Sequence, residues 1–277
     1  MKRRFIICTA LLIAAGCKQA AMTTRLSVLQ DVQAHSWETL AGRKIFFAHQ
    51  SVGTNIIEGI RDIMREDPRV RLRLQETSDP GAFEQPLFAH ALSGNNQDPQ
   101  SKIAAFQKLM EGGLGNQADI AFFKFCYVDI TAETDVDALF TSYQAAMAAL
   151  QAKHPRTTFL HCTVPLTSLQ SGMRGLVKRV IGRPIGIEDN LRREQFNAKL
   201  RDAYQVRGTL FDLAMAEAQS PAGVITTFSM NGKPCLQLNP DYTYDGGHLN
   251  HTGRKQVAAQ LLLHLVRVSD KLTARTL

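Results

Sequence analysis

The chain has 277 residues, of which 44% are hydrophobic and 21% are charged, and this length and composition suit one globular domain. The net charge is +7, but Lys2, Arg3 and Arg4 supply three of these positive charges, so the rest of the chain is only mildly basic. Its basic residues are dispersed with few aromatic residues between them, and neither a Walker loop nor a Gly-x-Gly-x-x-Gly motif follows a predicted strand. We therefore expect no nucleic-acid partner and no cofactor.

The N-terminal segment has the pattern of an export signal. A basic start is followed by the apolar run Phe5–Ala15, whose roughly eleven residues suit a signal peptide and fall short of the about twenty that span a bilayer. The run ends in Ala14-Ala15-Gly16-Cys17, which resembles a bacterial lipobox with Cys17 as the lipidated residue. This predicts a signal peptide over residues 1–17 and a periplasmic protein held at the membrane by a lipid anchor. Plain secretion is the alternative, because Ala14 stands where a larger aliphatic residue is usual.

The first part of the globular region combines two predicted strands with a long loop. Lys44–Ala48 is a short apolar run that predicts the first strand, and apolar residues at helical spacing follow Ser51. Val70–Leu74 alternates apolar residues with arginine, as expected of a strand with one solvated face. Residues 75–100 are rich in glycine, proline and asparagine and are predicted to form a long loop, a feature that is often functional in a compact domain.

Strands and helices alternate along the rest of the chain. This alternation predicts an α/β fold with a central parallel sheet and helices on both faces. We expect a single domain over residues 42–270, preceded by a polar tether over residues 18–41. Ligands of such folds bind outside the carboxyl ends of the strands. The remaining predicted elements are helix Ser101–Met110, strand Ala118–Phe123, helix 135–153, strand Thr157–Cys162, a basic glycine-rich segment 166–187, helix 188–205, strand Thr209–Leu213, a loop or hairpin Val224–Pro240 and helix Thr252–Val268.

Ser51 occupies a position that suits a nucleophile. It follows the first predicted strand and begins a helix, so the unpaired N–H groups of that helix point towards it. Such N–H groups can stabilise the oxyanion that forms when a serine attacks a carbonyl group. A serine in this position is also a common helix cap, so the turn alone does not identify a catalytic residue.

Asp245 and His248 could activate that serine. They are three residues apart in Asp245-Gly-Gly-His248, just before the last predicted helix, so their side chains can face the same way. The carboxylate would accept a proton from one ring nitrogen while the other nitrogen takes the serine proton. The order of the three residues and their strand and helix context together predict one active site formed by both ends of the chain.

These residues carry a resemblance to the SGNH hydrolase superfamily, the GDSL-like esterases. The similarity is clearest in Asp245-Gly-Gly-His248-Leu-Asn-His-Thr-Gly253 and extends to Phe47-Ala-His-Gln-Ser51-Val-Gly53. It covers residues 43–268. The resemblance implies a flavodoxin-like three-layer sandwich and ester hydrolysis through an acyl-serine. Ser51 would then be the nucleophile, His248 the base and Asp245 its partner.

Two departures from the family pattern concern the oxyanion hole. In the sequence motif around the serine, this chain reads His49-Gln50-Ser51 where the family usually has Gly-Asp-Ser. In the family's third sequence motif, called the third block, Val128 stands where an asparagine is usual. The resemblance therefore implies an oxyanion hole made of the N–H groups of Ser51 and Gly94, with a contribution from Asn95. Losing one oxyanion donor typically costs about 100- to 1000-fold in rate.

The remaining histidines and cysteines leave alternatives open. His49 could reach the pocket or simply end the strand, and a metal site built from His49, Asp245, His248 and His251 is an alternative, although no standard metal-binding spacing is present. We therefore expect no metal. Three cysteines remain in the domain, and a disulfide between two of them is possible in an oxidising compartment. These three are Cys126, Cys162 and Cys235.

Together these features predict a serine esterase that hydrolyses acyl esters. An O-acetyl group on a cell-envelope or exported carbohydrate is the expected substrate, from location and family likeness alone. Two alternatives remain. The first is an acyltransferase that uses the same triad, and the second is a non-catalytic lipoprotein that binds a glycan or another envelope component. The missing third-block asparagine favours the second alternative, whereas the intact triad argues against it.

Overall fold

The computed structural model describes residues 29–169, 186–230 and 232–276. The predicted signal peptide, the lipidation site at Cys17 and the basic loop at 170–183 lie outside these ranges. Within the predicted tether, Ala34–Ala41 forms helix α1. None of the helices in the described ranges is both long enough and apolar enough to cross a membrane.

The core of the fold is a parallel sheet of five strands in the order β2-β3-β1-β4-β5. Strand β1 lies in the centre, and its neighbours β3 and β4 both run parallel to it. One residue after β5, β6 begins and pairs in parallel with β7, and the antiparallel pair of β8 and β9 shows that the segment predicted as a loop or hairpin is a hairpin. The strands are β1 Lys44–His49, β2 Leu74–Glu76, β3 Leu87–Leu92, β4 Ile120–Phe123, β5 Thr158–Phe159, β6 His161–Cys162, β7 Leu210–Phe211, β8 Thr227–Met230 and β9 Lys233–Leu236.

Helices cover both faces of this sheet, so the predicted three-layer α/β fold is confirmed. One buried cluster joins the sheet to α1, α2 Ser51–Glu66, α6 Leu213–Ala218 and α7 His251–Thr276. A second cluster lies on the opposite face beneath α3 Pro99–Leu109, α4 Val136–Lys153 and α5 Ile187–Tyr204. Helices α2 and α7 pack closely at Gly59. A Cβ atom added there would lie only 2.2 Å from the carbonyl oxygen of Arg254. The two helices that follow the serine and the histidine are therefore direct neighbours.

The predicted long loop at 75–100 is wrong in its middle. Leu87–Leu92 forms β3, which pairs with β1 along its whole length, and four of its six residues are buried. The turn residues on both sides concealed this short strand in the sequence. The second strand is also displaced, from the predicted Val70–Leu74 to Leu74–Glu76. As a result, the segment that begins at Ser93 is a short loop at the carboxyl end of a strand next to β1.

Candidate active site

Ser51 is the first residue of α2, and only Gln50 separates it from the end of β1. Gln50 has an extended backbone, and the N–H of Gly53 donates to the carbonyl oxygen of Gln50 at 2.7 Å. The turn is tight, because a Cβ atom at Gly53 would lie 2.3 Å from the Cβ of His49. Ser51 is half-buried and lies at the positive end of the helix.

Asp245 and His248 form the hydrogen-bonded pair that the sequence predicts. His248 Nδ1 lies 2.6 Å from Asp245 Oδ2, and Asp245 Oδ1 accepts the N–H groups of Gly247 at 2.9 Å and His248 at 2.8 Å. Partial burial would raise the pKa of Asp245, but these hydrogen bonds outweigh it and hold that pKa well below its usual range. The carboxylate is therefore ionised, so Nδ1 carries the ring proton and Nε2 is left as the base.

Asn55 joins this pair to the helix that carries Ser51. Its Oδ1 accepts the N–H of Leu249 at 3.1 Å, across 194 positions in the chain. Residues four apart on a helix lie on the same face, so Asn55 and Ser51 face the same way from α2. The structure thus brings the histidine loop to the end of α2 that begins with Ser51. The catalytic roles of Ser51, His248 and Asp245 stay a prediction.

The loop after β3 lies against the serine turn. Gln50 Nε2 donates to the carbonyl oxygen of Gly94 at 2.7 Å, and the N–H of Ser93 donates to the carbonyl oxygen of His49 at 3.0 Å. Gly94 has a φ of +67°, and a Cβ atom there would lie 2.5 Å from Lys102 Cγ, so only glycine fits. Gly94, a predicted oxyanion donor, is therefore next to the turn that carries Ser51.

Asn95, the other residue predicted to contribute to the oxyanion hole, does not contact the serine turn through a hydrogen bond as Gly94 does. Its backbone N–H donates to Ser101 Oγ at 2.8 Å, and the residue is exposed. Only its side chain is left as a donor for a substrate, and no described residue orients that side chain with a hydrogen bond.

The loop after β4 offers no side-chain donor at the position of Val128. Here Tyr127–Asp129 forms a short 3-10 turn, and the buried Asp129 carboxylate faces inwards. It accepts hydrogen bonds from the N–H of Cys126 at 2.6 Å, the N–H of Gln97 at 2.9 Å and Lys102 Nζ at 2.5 Å. Asp129 is thus an acceptor that connects the loops after β3 and β4.

His49 is buried at the end of β1 and is not a partner of the Asp245–His248 pair. It is 2% exposed, its Nδ1 lies 3.1 Å from the carbonyl oxygen of Gln50, and its Nε2 lies 3.2 Å from Nδ1 of His90. Burial, with the positive charge of Lys124, lowers the pKa of His49 to about 3. His251 faces Asp62 at 3.6 Å. The alternative metal site is therefore not assembled, and within the described ranges no cluster of His, Cys, Asp or Glu is arranged to hold a metal ion.

The three cysteines in the described part of the chain are free. Cys126 and Cys162 are buried, Cys235 is partly exposed, and none of the three is in a disulfide.

Tyr127 packs against the histidine loop from the other side. Its ring lies edge-on to His248, with centroids 5.7 Å apart, and a Cβ atom at Gly247 would lie 2.6 Å from its Cζ. The Tyr127 carbonyl oxygen accepts from Arg193 Nε at 2.7 Å, and Arg193 is itself 3% exposed. Burial lowers the pKa of Arg193 to about 10, so the guanidinium keeps its charge at neutral pH.

A cavity of about 640 Å³ opens beside Asp245 and Tyr127. Most of its lining is polar, with hydroxyl, carboxylate, amide and guanidinium groups, so it suits a hydroxyl-rich ligand better than an apolar chain. The lining includes Gln97, Val128, Thr131, Thr134, Thr167, Ser168, Asp189 and Arg193.

Sequence reasoning did not assign roles to Gln50, Asn55, Tyr127 or Lys102. The spacing of Asn55, one helical turn after Ser51, was the one signal available in the sequence. The contacts of Gln50, Tyr127 and Lys102 cross between loops, and no local pattern predicts them.

No protein-family model matches the chain, and no curated protein is significantly similar to it in sequence. Solved structures that are similar to it in fold include three proteins. A protein from Parabacteroides merdae named as a GDSL-like lipase is 13% identical with a TM-score of 0.49, over 83% of this chain and 96% of that one. A protein from Streptococcus pneumonia named as a platelet activating factor is 13% identical with a TM-score of 0.47, over 94% and 100%. An acetyl xylan esterase is 19% identical with a TM-score of 0.42, over 78% and 96%.

Similarity at this level, with each TM-score below 0.5, does not determine the reaction or the substrate of this chain.

Proposed function

We propose that the protein is a serine esterase that cleaves acyl esters through an acyl-serine intermediate. The observation that carries this proposal is the Asp245–His248 pair, held by Asn55 at the end of α2 that begins with Ser51. A buried strand end, a helix N-terminus and an oriented imidazole are the parts that serine acyl transfer requires.

The reaction follows from the hydrogen bonds of the pair. Ser51 Oγ attacks the acyl carbonyl carbon while His248 Nε2 takes the hydroxyl proton, and the carbonyl oxygen becomes an oxyanion. Collapse of this intermediate breaks the ester bond, and the alcohol leaves with the proton from His248. Water then attacks the acyl-serine in the same way, which releases the acid and restores Ser51.

Asp245 orients the imidazole and stabilises its protonated form. The carboxylate is ionised and bound to Nδ1, so the imidazolium that forms during attack gains a charge-assisted hydrogen bond. The oxyanion would lie against the N–H groups of Ser51 and Gly94, the second of which is held next to the serine turn by Gln50.

The proposed substrate is an acylated carbohydrate, with an O-acetyl ester on an envelope or exported glycan as the first candidate. The polar cavity beside Asp245 supports this choice, because its hydroxyl, carboxylate and guanidinium groups match a polyhydroxyl ligand. The export signal and the lipobox-like Cys17 support a periplasmic, lipid-anchored location.

The test is the hydrolysis of a chromogenic acetyl ester by the purified protein and by two variants, Ser51→Ala and His248→Ala. Loss of activity in both variants, with unchanged folding by circular dichroism, is expected. Ser142→Ala is the matched control, because Ser142 is half-buried on α4 and its hydroxyl, within the described ranges, donates only to the carbonyl oxygen of Ala138. Full activity in Ser51→Ala would refute the serine mechanism. Faster acyl loss with a sugar acceptor, together with an acylated sugar product, would identify a transferase instead.

A further inference from the structure

This inference rests on the proposed function and concerns the oxyanion hole. Serine acyl transfer places a full negative charge on the former carbonyl oxygen, and preorganised donors aimed at that oxygen account for much of the rate. The N–H groups of Ser51 and Gly94 are backbone donors. Val128 contributes no donor from the loop after β4. The side-chain amides that lie near the end of β1 are therefore the candidates for a third donor.

Two of these amides are engaged in other contacts. Gln50 Nε2 donates to the carbonyl oxygen of Gly94 at 2.7 Å and so connects two loops. Asn55 Oδ1 accepts the N–H of Leu249, which fixes the amide of Asn55 against the histidine loop. Asn95 is exposed, and no described residue orients its side chain with a hydrogen bond.

Asn96 is exposed like Asn95, but its side-chain oxygen is bound by a buried ammonium group, and unlike Asn55 it lies two residues from Gly94 and not against the histidine loop. Asn96 Oδ1 accepts a hydrogen bond from Lys102 Nζ at 3.0 Å, and its Nδ2 makes no hydrogen bond to a residue within the described ranges. Lys102 is only 2% exposed, and its Nζ also contacts Asp129 Oδ2 at 2.5 Å. Asp129 is fixed in turn by the N–H groups of Cys126 and Gln97. A buried ion pair thus sets the orientation of the Asn96 amide.

The order of the strands places this amide close to the serine turn. Strand β1 lies between β3 and β4, so the loops at 93–97 and 126–129 stand on either side of the turn that carries Ser51. These loops touch directly, since the N–H of Gln97 donates to Asp129 Oδ1 at 2.9 Å. Asn96, held between Lys102 and this junction, lies on the side of the turn where Gly94 is also found.

We propose that the Asn96 side-chain amide is the third oxyanion donor, supplied by the loop after β3 in place of the loop after β4. An ammonium group on Oδ1 polarises the amide and strengthens its N–H groups as donors. The amide is also held in place before the reaction, so no reorganisation is needed when the charge develops. Asn96 is in this sense a catalytic residue, and Lys102 and Asp129 are positioning residues.

The experiment compares Asn96→Ala with Gln100→Ala, a control at an exposed residue in the first turn of α3, in the purified full-length protein. For a chromogenic acetyl ester we expect kcat to fall about 100-fold in Asn96→Ala, as for the loss of one oxyanion donor, with KM within about twofold of the wild type. The same fall is expected in the rate at which a p-nitrophenyl phosphonate ester labels Ser51, because its phosphoryl oxygen also gains negative charge. Gln100→Ala should match the wild type in both measurements.

A second variant keeps the inference testable if Asn96→Ala loosens the loop. Asn96→Asp retains an oxygen for Lys102 Nζ, so the loop keeps its anchor, but it replaces the donor by an acceptor. Its kcat should fall at least as far as that of Asn96→Ala, with a melting temperature close to that of the wild type. Activity at the wild-type level in either Asn96 variant, or an equal loss of activity in Gln100→Ala, would overturn the assignment.

Wild type and Ser51→Ala are measured in the same series, so the two proposals can fail separately. Turnover that depends on Ser51 but not on Asn96 refutes only the oxyanion assignment. Turnover that does not depend on Ser51 refutes the esterase mechanism, and the assignment of Asn96 falls with it.

Discussion

Asn55→Ala tests whether the hydrogen bond between α2 and the histidine loop positions the catalytic base. The bond is a single one, from the N–H of Leu249 to a half-buried Oδ1 at 3.1 Å. Its loss should cost about 0.5–1.5 kcal/mol of folding free energy, and the better helix propensity of alanine should return about 0.5 kcal/mol. We therefore expect the free energy of unfolding to change by no more than about 1 kcal/mol.

The effect on the rate should be larger than the effect on stability. The Asp245–His248 hydrogen bond and the Thr243–Leu249 bridge lie within the loop and survive the change, so only the position of His248 relative to Ser51 is released. A displacement of about 1 Å can cost about 100-fold in rate. We expect kcat for an acetyl ester to fall about 10- to 100-fold, with KM nearly unchanged.

The assay is steady-state hydrolysis combined with urea unfolding of the same samples. Asn55→Asp keeps an acceptor for Leu249 and should retain more activity than Asn55→Ala, whereas Thr54→Ala, an exposed neighbour on α2, should behave as wild type. If Asn55→Ala kept the wild-type kcat, the histidine loop would be positioned by its own contacts, and the role given to Asn55 would be refuted.

Three further predictions concern the acid partner and the buried ionisable groups. Asp245→Asn keeps the backbone contacts of Oδ1 but removes the ionised partner of His248. We expect kcat to fall by roughly 1000-fold or more while the melting temperature changes little. A loss of kcat below about tenfold would contradict the role of the carboxylate. Burial lowers the pKa of His49 and His161 to about 3 and that of His264 to about 4. Below pH 6.5 the unfolded chain therefore takes up protons that the folded protein does not. The free energy of unfolding should fall as the pH falls. Each of these histidines should cost about 2 kcal/mol at pH 5, measured as the urea midpoint against pH, and a midpoint constant from pH 7 to 5 would refute this. Burial raises the pKa of Glu217 to about 8, so this residue lowers the free energy of unfolding as the pH rises from 4.5 to 8. Glu217→Gln should therefore gain stability relative to the wild type, by up to about 4 kcal/mol over that range. Equal profiles of stability against pH for the two proteins would show that the carboxyl is not neutral in the folded state.

The sequence by itself determined the features that depend on local patterns. The alternation of apolar runs with helical stripes predicted the parallel sheet and its helical layers, because each element must bury one face. The three-residue spacing in Asp245-Gly-Gly-His248 predicted a pair that forms within one short loop, and the structure shows it at 2.6 Å. The position of Ser51 between a strand and a helix was predicted in the same way, and the structure shows it, while its role as a nucleophile stays a prediction.

Only the tertiary structure decided which distant groups meet. Strand β3 is short and flanked by turn residues, so its place beside β1 depends on pairing that no local pattern encodes. The chain of contacts from Asn96 through Lys102 to Asp129 joins two loops that follow different strands. Burial makes this ion pair and the His49–His90 contact possible, and burial is a property of the assembled layers. Periodicity and spacing therefore determined the elements and the catalytic candidates, whereas the contacts that orient those candidates depend on the packed fold.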